Sequence, residues 1–388
     1  MSYSQPYILL IVFLLAIAAI EIFIKFDKKS IQLLNSIAGL TFILFFGFRG
    51  LIGWDWHSYF PFYKALPTIF QFNSMERIYE PGFCLFASLI KTINPSYHFF
   101  IFINTLIDFI LLHIFYKRYL PPYLYAFAFA IFIVMGGLVF ELDLLRNIKG
   151  LLLFLVSIRY IENRKIIPFL ILNLIGLSFH WSSIIFFPLY FFIHKKIDLR
   201  ALIAVAIIGN IIYLFQIEFI KPFVQFIAGF LGETVQIKTE IYMNASILNE
   251  AYGITIGYIE RLFTTILVLF YYHKLTEKSG ANTIFINSFF IFFVFFFYFS
   301  ELSILVSRLA RLFCFSYWII WPALIDCSNN TVKYMLFVSL AIYSNLKIAR
   351  ATNNVFYKYD NVIYGYHQEF KERENTFKKN ELFLKQNN

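Results

Sequence analysis

The sequence is poor in charge and in cysteine, and each shortage excludes a class of protein. Charged residues make up only 14% of the 388, whereas 60% are hydrophobic and the mean hydropathy is +0.69. This balance is typical of a chain that lies largely in a bilayer. The three cysteines, Cys84, Cys314 and Cys327, are widely spaced in or beside apolar runs, which excludes a disulfide framework and a cysteine metal site.

Several motifs of soluble enzymes are also missing. The sequence has no glycine loop of the Walker type, no paired-histidine metal helix and no nucleophilic serine elbow, so ATP hydrolysis, zinc chemistry and a hydrolase triad have no support. We therefore expect no metal and no cofactor, and a reaction would draw its energy from its substrate. The net charge of +10 does not indicate nucleic acid binding, because Lys and Arg lie mainly in short links between apolar runs and in the tail.

Apolar runs near the length of a bilayer crossing recur along the chain. They predict an all-α, polytopic integral membrane protein with about 10–12 transmembrane segments and a re-entrant or interfacial helix. The runs are residues 7–24, 33–48, two pieces within 81–116, 121–140, 144–161, 166–179, the run to 193, 201–215, 258–272, 284–300, 302–324 and 332–343. We expect one membrane domain over 1–345 and a polar tail over 346–388 that is disordered at its end.

Basic links set the predicted orientation. Four of them, at 25–30, 117–118, 162–165 and 194–200, fall on one side if region 81–116 makes one net crossing with a re-entrant piece. The positive-inside rule places them in the cytoplasm. The N-terminus and the first loop then lie outside, and the first run lacks the flanks of a cleaved signal. The long segment 216–257 is predicted to hold an interfacial helix, and the side of the tail stays open.

Ionisable side chains collect toward the predicted outer half. They are Arg49, Asp55, His57 and Glu80 in the first loop, Arg146 and His180 near the ends of two later segments, and Glu301, Arg308 and Arg311 near another. A cation in an apolar segment is costly unless it faces a polar cavity, which favours a ligand site. Arg308 and Arg311 are three apart and share a helix face. Their planar forks of donors suit a diphosphate, unless Glu301 merely neutralises them.

The other candidates have structural interpretations as well. Arg49 could be an interfacial anchor, and Asp55 could be solvated or pair with Arg49. Glu80, directly before a proline, could only mark the start of a helix.

The candidates in the later segments also have structural interpretations. Arg146 could pair with Asp143 three residues earlier on the same helix face. His180 could be satisfied by a backbone carbonyl at the membrane edge, and Lys149 reads as a structural or snorkelling lysine.

Four short stretches, in this order and between such apolar runs, resemble the EpsG family of Wzy-type polysaccharide polymerases. They are RGLIGWDWHSY at 49–59, EPGF at 80–83, LRN at 145–147 and FHWSS at 179–183. The resemblance covers 49–193 well and the segment with Arg308 and Arg311 more loosely. The sequence departs from the family at Asn147, where Gln is expected after the arginine, and at Lys149, where a small residue is usual.

The resemblance implies a multi-pass enzyme of the bacterial inner membrane that joins oligosaccharide repeat units carried on undecaprenyl diphosphate. The reaction at the periplasmic face would serve O-antigen lipopolysaccharide, capsule or exopolysaccharide, with a chain-length regulator protein as a partner. Glycosyl transfer from a lipid diphosphate needs cations for the leaving group and a base for the attacking hydroxyl. We assign the diphosphate to Arg49, Arg146, Arg308 and Arg311, and the proton to Asp55, Glu80 or His180. Asp55 leads because glycosyl transfer commonly uses a carboxylate, and His180 follows because its ordinary pKa is near neutral.

Three other functions remain open. A flippase for the same lipid-linked units would show internal repeats and charges through the full membrane depth. An O-antigen ligase would share the diphosphate chemistry but carry a larger outer loop, and a purely structural protein would leave the arginines unexplained.

Overall fold

A computed structural model of the chain describes residues 2–74, 78–220, 222, 223, 225, 229, 253–363 and 370–386. This part of the chain is helical and has no strand, apart from an isolated bridge between Arg49 and Asn361. Six helices are long and apolar enough to cross a membrane: Gln5–Phe23, Lys28–Gly47, Tyr97–Tyr119, Pro122–Leu142, Ala281–Tyr298 and Asn330–Thr352. Four shorter helices are also apolar: Pro81–Ile93, Ile166–Phe179, Trp181–Phe192 and Leu199–Leu214. The predicted all-α, polytopic membrane fold is confirmed.

The chain forms two compact units, Met1–Phe191 with Asn329–Asn388, and Phe192–Ser328. The helices of the first unit are α1 Gln5–Phe23, α2 Lys28–Phe42, α3 Trp56–Ala65, α4 Pro81–Ile93, α5 Tyr97–Tyr119, α6 Tyr125–Phe132, α7 Leu138–Leu142, α8 Leu145–Glu162, α9 Ile166–Phe179, α10 Leu189–Phe192, α17 Asn330–Thr352 and α18 Phe370–Gln386. The second unit has α11 Leu199–Leu214, α12 Ile256–Phe270, α13 Tyr272–Lys278, α14 Ala281–Tyr298, α15 Ser303–Arg311 and α16 Phe315–Cys327. The division into one membrane domain and a tail stays a prediction.

One end of the first unit collects its basic links, and we call it the basic end. Arg118 in the last turn of α5 donates to the carboxylate of Glu162, the last residue of α8, at 2.6 Å. Glu21 near the end of α1 accepts the backbone N–H of Ala126 at the start of α6, at 3.2 Å. The ends of α1, α5 and α8 therefore lie together, as the charge pattern predicts for links on one side of a membrane.

The opposite end, which we call the site end, holds the first loop. The backbone N–H of Trp54 in this loop donates to Asp143, directly after α7, at 2.6 Å. Tyr7, in the first turns of α1, donates from its hydroxyl to the carbonyl of Tyr357 at 2.9 Å. The start of α1, the loop after α2, the end of α7 and the segment after α17 thus meet here.

Helix α4 does not carry the chain from one end of the unit to the other. Near its start the ring of Tyr79 lies 4.7 Å from that of Phe62 on α3. At its far end the hydroxyl of Tyr63, also on α3, donates to the carbonyl of Asn94 at 3.0 Å. Both ends of α4 therefore contact α3, and the 23-residue α5 is left to make the crossing, which is the arrangement expected from the sequence.

Two glycines bring α8 and α9 into close contact. A Cβ on Gly150 would lie 1.9 Å from the Oγ of Ser183, and one on Gly176 would lie 3.2 Å from the Cα of Gly150. Small residues allow such close approach between helices in a membrane, where packing replaces the hydrophobic effect as the main source of association. This contact fixes the start of α8 beside the end of α9.

The second unit corrects the prediction of one segment over 302–324. Helix α15 ends at Arg311, and the N–H groups of Leu312, Phe313 and Cys314 bond to carbonyls three residues back before α16 begins at Phe315. Such bonds tighten the chain and end the α-helical pattern. The nine residues of α15 span only about 14 Å, too short to cross the roughly 30 Å hydrocarbon core.

The tail corrects a second prediction. Residues 370–386 form α18 where disorder was expected at the end of the chain. Helix α17 begins at the basic end, where the ring of Tyr334 lies 5.9 Å from that of Phe23, and ends at the site end, where Asn353 accepts from Ser2 at 2.9 Å. The tail therefore lies at the site end, a question that the sequence left open. Most of the predicted loop 216–257, with its interfacial helix near 222–231, lies outside the described residues.

Candidate active site

The start of α8 carries an arginine that is held by three neighbouring side chains. Arg146 donates from Nη1 to Oε2 of Glu80 in an ion pair, and from Nε to the hydroxyl of Tyr59 at 3.3 Å. The ring of Tyr79 lies 4.3 Å from the guanidinium carbon, a cation–π contact. A cation in the first turn of a helix opposes the helix dipole, so Glu80 compensates a position that is otherwise unfavourable.

The guanidinium of Arg146 keeps part of its donor capacity open. The side chain is 21% exposed, whereas that of Glu80 is 6% exposed. Its Nη2 atom makes no hydrogen bond to any described residue. An arginine presents five N–H donors, so this one can bind an oxyanion without releasing Glu80 or Tyr59.

Glu80 connects three elements that are far apart in the sequence. It precedes the first residue of α4, binds Arg146 at the start of α8, and accepts the backbone N–H of Trp181 at 3.4 Å. Burial raises the pKa of the Glu80 carboxyl. The hydrogen bonds from its own backbone N–H and from Arg146 lower this pKa by more, so the net pKa is below the ordinary value. Glu80 is therefore a poor base and acts as an anchor for Arg146.

His180 lies beside Glu80 but does not pair with it in the ordinary way. Its Nδ1 accepts the backbone N–H of Ser182 at 3.1 Å and so caps the short 3₁₀ helix Trp181–Phe186. Burial lowers the pKa of His180, Glu80 raises it and Arg146 lowers it, with a net decrease. The distance from Nδ1 to Oε1 of Glu80 is 3.7 Å. Because Nδ1 accepts a proton donor, the neutral ring carries its hydrogen on Nε2.

This assignment changes the chemistry expected of His180. The unprotonated nitrogen of the ring, Nδ1, already accepts the backbone N–H of Ser182. The ring therefore does not readily take a proton from a substrate hydroxyl. Its Nε2–H has no partner among the described residues and can donate to a ligand. The structure thus favours His180 as a hydrogen-bond donor over its predicted role as a base.

Asp55 is a carboxylate near Arg146 whose side chain has no partner among the described residues. It precedes α3, its side chain is partly buried, and its carboxylate oxygens make no hydrogen bond or ion pair with a described residue. Burial raises its pKa, while the charges of Arg146 and His57 oppose that change without cancelling it. A carboxylate with a raised pKa and free oxygens is a better base than one bound in an ion pair, so the geometry favours Asp55 over Glu80.

Asp143 holds the loop that carries Asp55. Its Oδ1 accepts the N–H of Trp54 at 2.6 Å and that of Asp55 at 3.4 Å. Gly53 has φ +91°, and a Cβ there would lie 2.2 Å from Oδ1 of Asp143, so only glycine fits this turn. The alternative pairing of Arg146 with Asp143 is wrong, because Asp143 binds the loop backbone.

Arg49, the other predicted diphosphate ligand in this unit, differs from Arg146 because its guanidinium is buried and bound by the fold. It is 2% exposed and donates to the carbonyls of Phe46 and Glu141 and to the hydroxyl of Thr105. Its donors are used by the fold, because a buried guanidinium needs partners. The structure therefore favours a structural role for Arg49 over its predicted role as a diphosphate ligand.

Arg49 belongs to a group of buried charges that we call the buried network, formed by Arg49, Asp108, Glu141 and Lys149. Lys149 donates to Asp108 at 2.6 Å, and the four charges are close enough to interact electrostatically. None is more than 2% exposed. The departure from the family at Lys149 thus places a structural ion pair in the interior, as the structural interpretation of this lysine predicted.

Arg308 and Arg311 lie in the last turn of α15, in the second unit. Arg308 is exposed and Arg311 partly so, and neither forms an ion pair within the described part of the chain. Glu301 accepts the N–H of Phe219 at 3.0 Å and that of Ile220. The predicted role of Arg308 and Arg311 in diphosphate binding stays a prediction.

Two contributors to the cluster were missed in the sequence, and a third was given another partner. Tyr59 and Tyr79 hold Arg146 in place, and Asp143, considered in the sequence only as a partner of Arg146, holds the loop. Tyr59 ends the stretch 49–59, and Tyr79 directly precedes Glu80, so their positions in or next to the quoted stretches were a signal that could have been used. The role of Asp143 had no such signal, because it binds backbone N–H groups of a distant loop.

The comparisons with known proteins give one family. The sequence profile of the EpsG family matches residues 32–361 of the 388, a range that includes Asp55, Glu80, Arg146 and His180. No curated protein and no solved structure gives a significant match. The chain therefore belongs to the EpsG family, which indicates a polysaccharide-polymerase-like membrane protein.

Proposed function

We propose that this chain is a membrane glycosyltransferase of the Wzy type that polymerises oligosaccharide repeat units carried on undecaprenyl diphosphate. The observation that carries the proposal is the open guanidinium of Arg146, held by Glu80 and accompanied by the carboxylate of Asp55, which has no partner within the described part of the chain. An arginine fork binds phosphate oxygens bidentately, and a nearby free carboxylate supplies a base. Together they meet the two needs of transfer from a lipid diphosphate.

In the proposed reaction, a hydroxyl of the incoming lipid-linked unit attacks the anomeric carbon of the growing chain. A new carbon–oxygen bond forms there as the bond to the diphosphate oxygen breaks, and the electron pair leaves with the lipid diphosphate. Arg146 stabilises the charge that develops on this leaving group. Asp55 accepts the proton of the attacking hydroxyl, and the Nε2–H of His180 donates to a sugar or phosphate oxygen.

The proposed location is supported by the arrangement of the two ends of the first unit. The site end lies opposite the basic end, so the positive-inside rule assigns it to the outer face of the bacterial inner membrane. Diphosphate binding by Arg308 and Arg311 in the second unit is proposed on separate grounds, because both are at least partly exposed and form no ion pair within the described residues. A chain-length regulator protein is the proposed partner, and the lipid bilayer is the medium that delivers the substrate.

The length of surface polysaccharide tests the proposal. A strain without this gene is complemented with the wild type, with Arg146→Ala, with Asp55→Asn or with the control Lys379→Ala, which changes an exposed residue, at matched membrane levels. We expect single repeat units in the deletion strain, a ladder with the wild type and the control, and single units with the two site variants.

Other results would select another function. Loss of all surface glycan with lipid-linked units retained inside the cell would identify a flippase. Long polymer that accumulates on its lipid carrier would identify a ligase. Either result contradicts the proposed polymerase.

The predicted side of the site end is tested by labelling. A membrane-impermeant maleimide added to spheroplasts should label Lys379→Cys on α18 and leave Lys165→Cys at the basic end unlabelled, both positions being exposed. The reverse pattern would place the site in the cytoplasm and contradict the proposal.

A further inference from the structure

The segment after α17 is hydrogen-bonded along the loop that carries Asp55. The N–H of Gly50 donates to the carbonyl of Asp360 at 2.8 Å, and that of Gly53 donates to the carbonyl of Phe356 at 3.0 Å. These contacts join residues about three hundred positions apart, so the loop depends on the tail for its backbone partners.

Arg373 on α18 ties the tail to the same loop. It is 2% exposed and donates from Nε to the carbonyl of Leu51 at 2.9 Å. Its Nη2 donates to the carbonyls of Phe356 at 3.2 Å and Lys358 at 2.9 Å. A buried guanidinium is costly unless its donors are satisfied, and here carbonyls on both sides satisfy them. The side chain therefore joins α18, the segment after α17 and the loop.

Phe377, one helical turn beyond Arg373, packs against the residues on either side of Asp55. Its ring stacks on that of His57 with centroids 4.8 Å apart and planes at 18°. It also meets the rings of Trp54 and Trp56 edge-on, each at 5.9 Å. Aromatic pairs in such arrangements stabilise a fold beyond the effect of their buried area. The contacts therefore hold the residues that flank Asp55 on both sides in the chain.

The position of Asp55 relative to Arg146 is thus set by two groups of contacts. Asp143, three residues before Arg146 in the chain, binds the loop backbone, and Arg373 and Phe377 on α18 contact the same loop. The family match ends at residue 361, before α18 begins at Phe370, so this second support lies beyond the part of the chain that the family profile matches.

We propose that α18 is a positioning element of the active site, in which Arg373 and Phe377 hold Asp55 in place for proton transfer without touching the substrate. The proposal rests on the proposed polymerase function. A misplacement of about 1 Å of a catalytic group can cost about a hundredfold in rate. Loosening the loop should therefore lower the rate of transfer more than it lowers substrate binding.

The test uses the purified full chain in nanodiscs and lipid-linked repeat units extracted from the deletion strain. Phe377→Ala is compared with Phe337→Ala, an equally buried phenylalanine (7% and 8% exposed) at the basic end that contacts Phe23. Both variants lose a similar buried ring, so thermal unfolding should report similar losses of stability. Phe377→Tyr keeps the ring and should keep the wild-type rate, and Lys379→Ala on the exposed face should do the same.

We expect Phe377→Ala to lower the maximum rate about tenfold while the half-saturating substrate concentration stays unchanged, and Phe337→Ala to keep the rate. Equal slowing of the two variants, or a wild-type rate for Phe377→Ala, would overturn the inference alone. If Phe377→Ala does not fold, the same rates are measured for Phe377→Leu, which keeps apolar volume but lacks the stacked ring. The same results are then expected, and the same results would overturn the inference. A wild-type chain that forms no polymer would overturn the proposed function and this inference with it.

Discussion

The first unit contains two groups of charges with opposite relations to their surroundings. In the candidate-site cluster, formed by Asp55, Glu80, Arg146 and His180, some donors and acceptors have no partner among the described residues. In the buried network, formed by Arg49, Asp108, Glu141 and Lys149, the cations donate to neighbouring carbonyls, a hydroxyl and a carboxylate of the fold. Both groups place arginine or lysine near apolar segments, so the rule that membrane-embedded charges are functional selects both. Only the open donors separate a ligand site from a structural ion pair.

The largest effect is expected where the buried network is broken. Lys149→Met leaves Asp108 buried without its partner, and removing one member of a buried pair costs about 3–5 kcal/mol. We expect a large fall in the midpoint of thermal unfolding in detergent. The double variant Lys149→Met with Asp108→Asn removes both charges and should recover much of that loss. If Lys149→Met were as stable as the wild type, the network would not be structural.

The next largest effect is expected on activity alone. Arg146→Lys keeps the charge but loses the planar fork that binds Glu80 and a phosphate together. We expect the amount of folded protein to stay normal while polymer formation falls about 10²–10³-fold, the usual cost of losing one donor to a developing charge. The measurement is the glycan ladder with a parallel blot for protein level. If Arg146→Lys lost folded protein as Lys149→Met is expected to do, the two groups of charges would not differ in function, and the comparison would be wrong.

A smaller effect separates capping from catalysis at His180. Asparagine is a strong N-cap, so His180→Asn should keep the contact to the N–H of Ser182 and the stability of the fold. It lacks the Nε2–H, so we expect polymer formation to fall about tenfold, the value of one hydrogen bond. An unchanged rate in His180→Asn would show that His180 only caps the 3₁₀ helix.

The smallest effect concerns the pH dependence of stability. Burial lowers the pKa of His180 in the folded chain, so below the ordinary value of about 6.5 the unfolded chain binds more protons at this site. Its contribution therefore makes stability rise with pH through that window and fall on acidification, although Glu80 weakens the effect. Between pH 7.5 and 5.5 the wild type should lose slightly more thermal stability than His180→Asn. Equal losses would show that His180 is not buried as a neutral ring.

Much of the fold was predictable because it depends on local composition. Long apolar runs gave the helices, and the basic links gave the common end of α1, α5 and α8. The break after Arg311 was not predictable, since apolar residues continue through it. The helix over 370–386 was missed because its sequence is polar and only Arg373 and Phe377 are buried among the side chains described there.

The grouping of four candidate residues was predictable from the sequence, but their partners were not. Motif order led to Asp55, Glu80, Arg146 and His180, and these residues do lie around the start of α8. Whether a side chain is open or occupied depends on contacts between distant segments, such as the bonds from Arg49 to Glu141 or from Ser182 to His180. No spacing rule in the sequence reports such partners.

The most direct test of the central claim is the binding of a short lipid diphosphate. Farnesyl diphosphate is titrated against the purified full chain in nanodiscs, with Arg146→Gln and the exposed control Lys379→Ala in parallel. We expect the dissociation constant to rise at least about tenfold in Arg146→Gln, since one charge-assisted hydrogen bond is lost, and to stay unchanged in the control. Equal affinity for the wild type and Arg146→Gln would contradict the assignment of the diphosphate to Arg146.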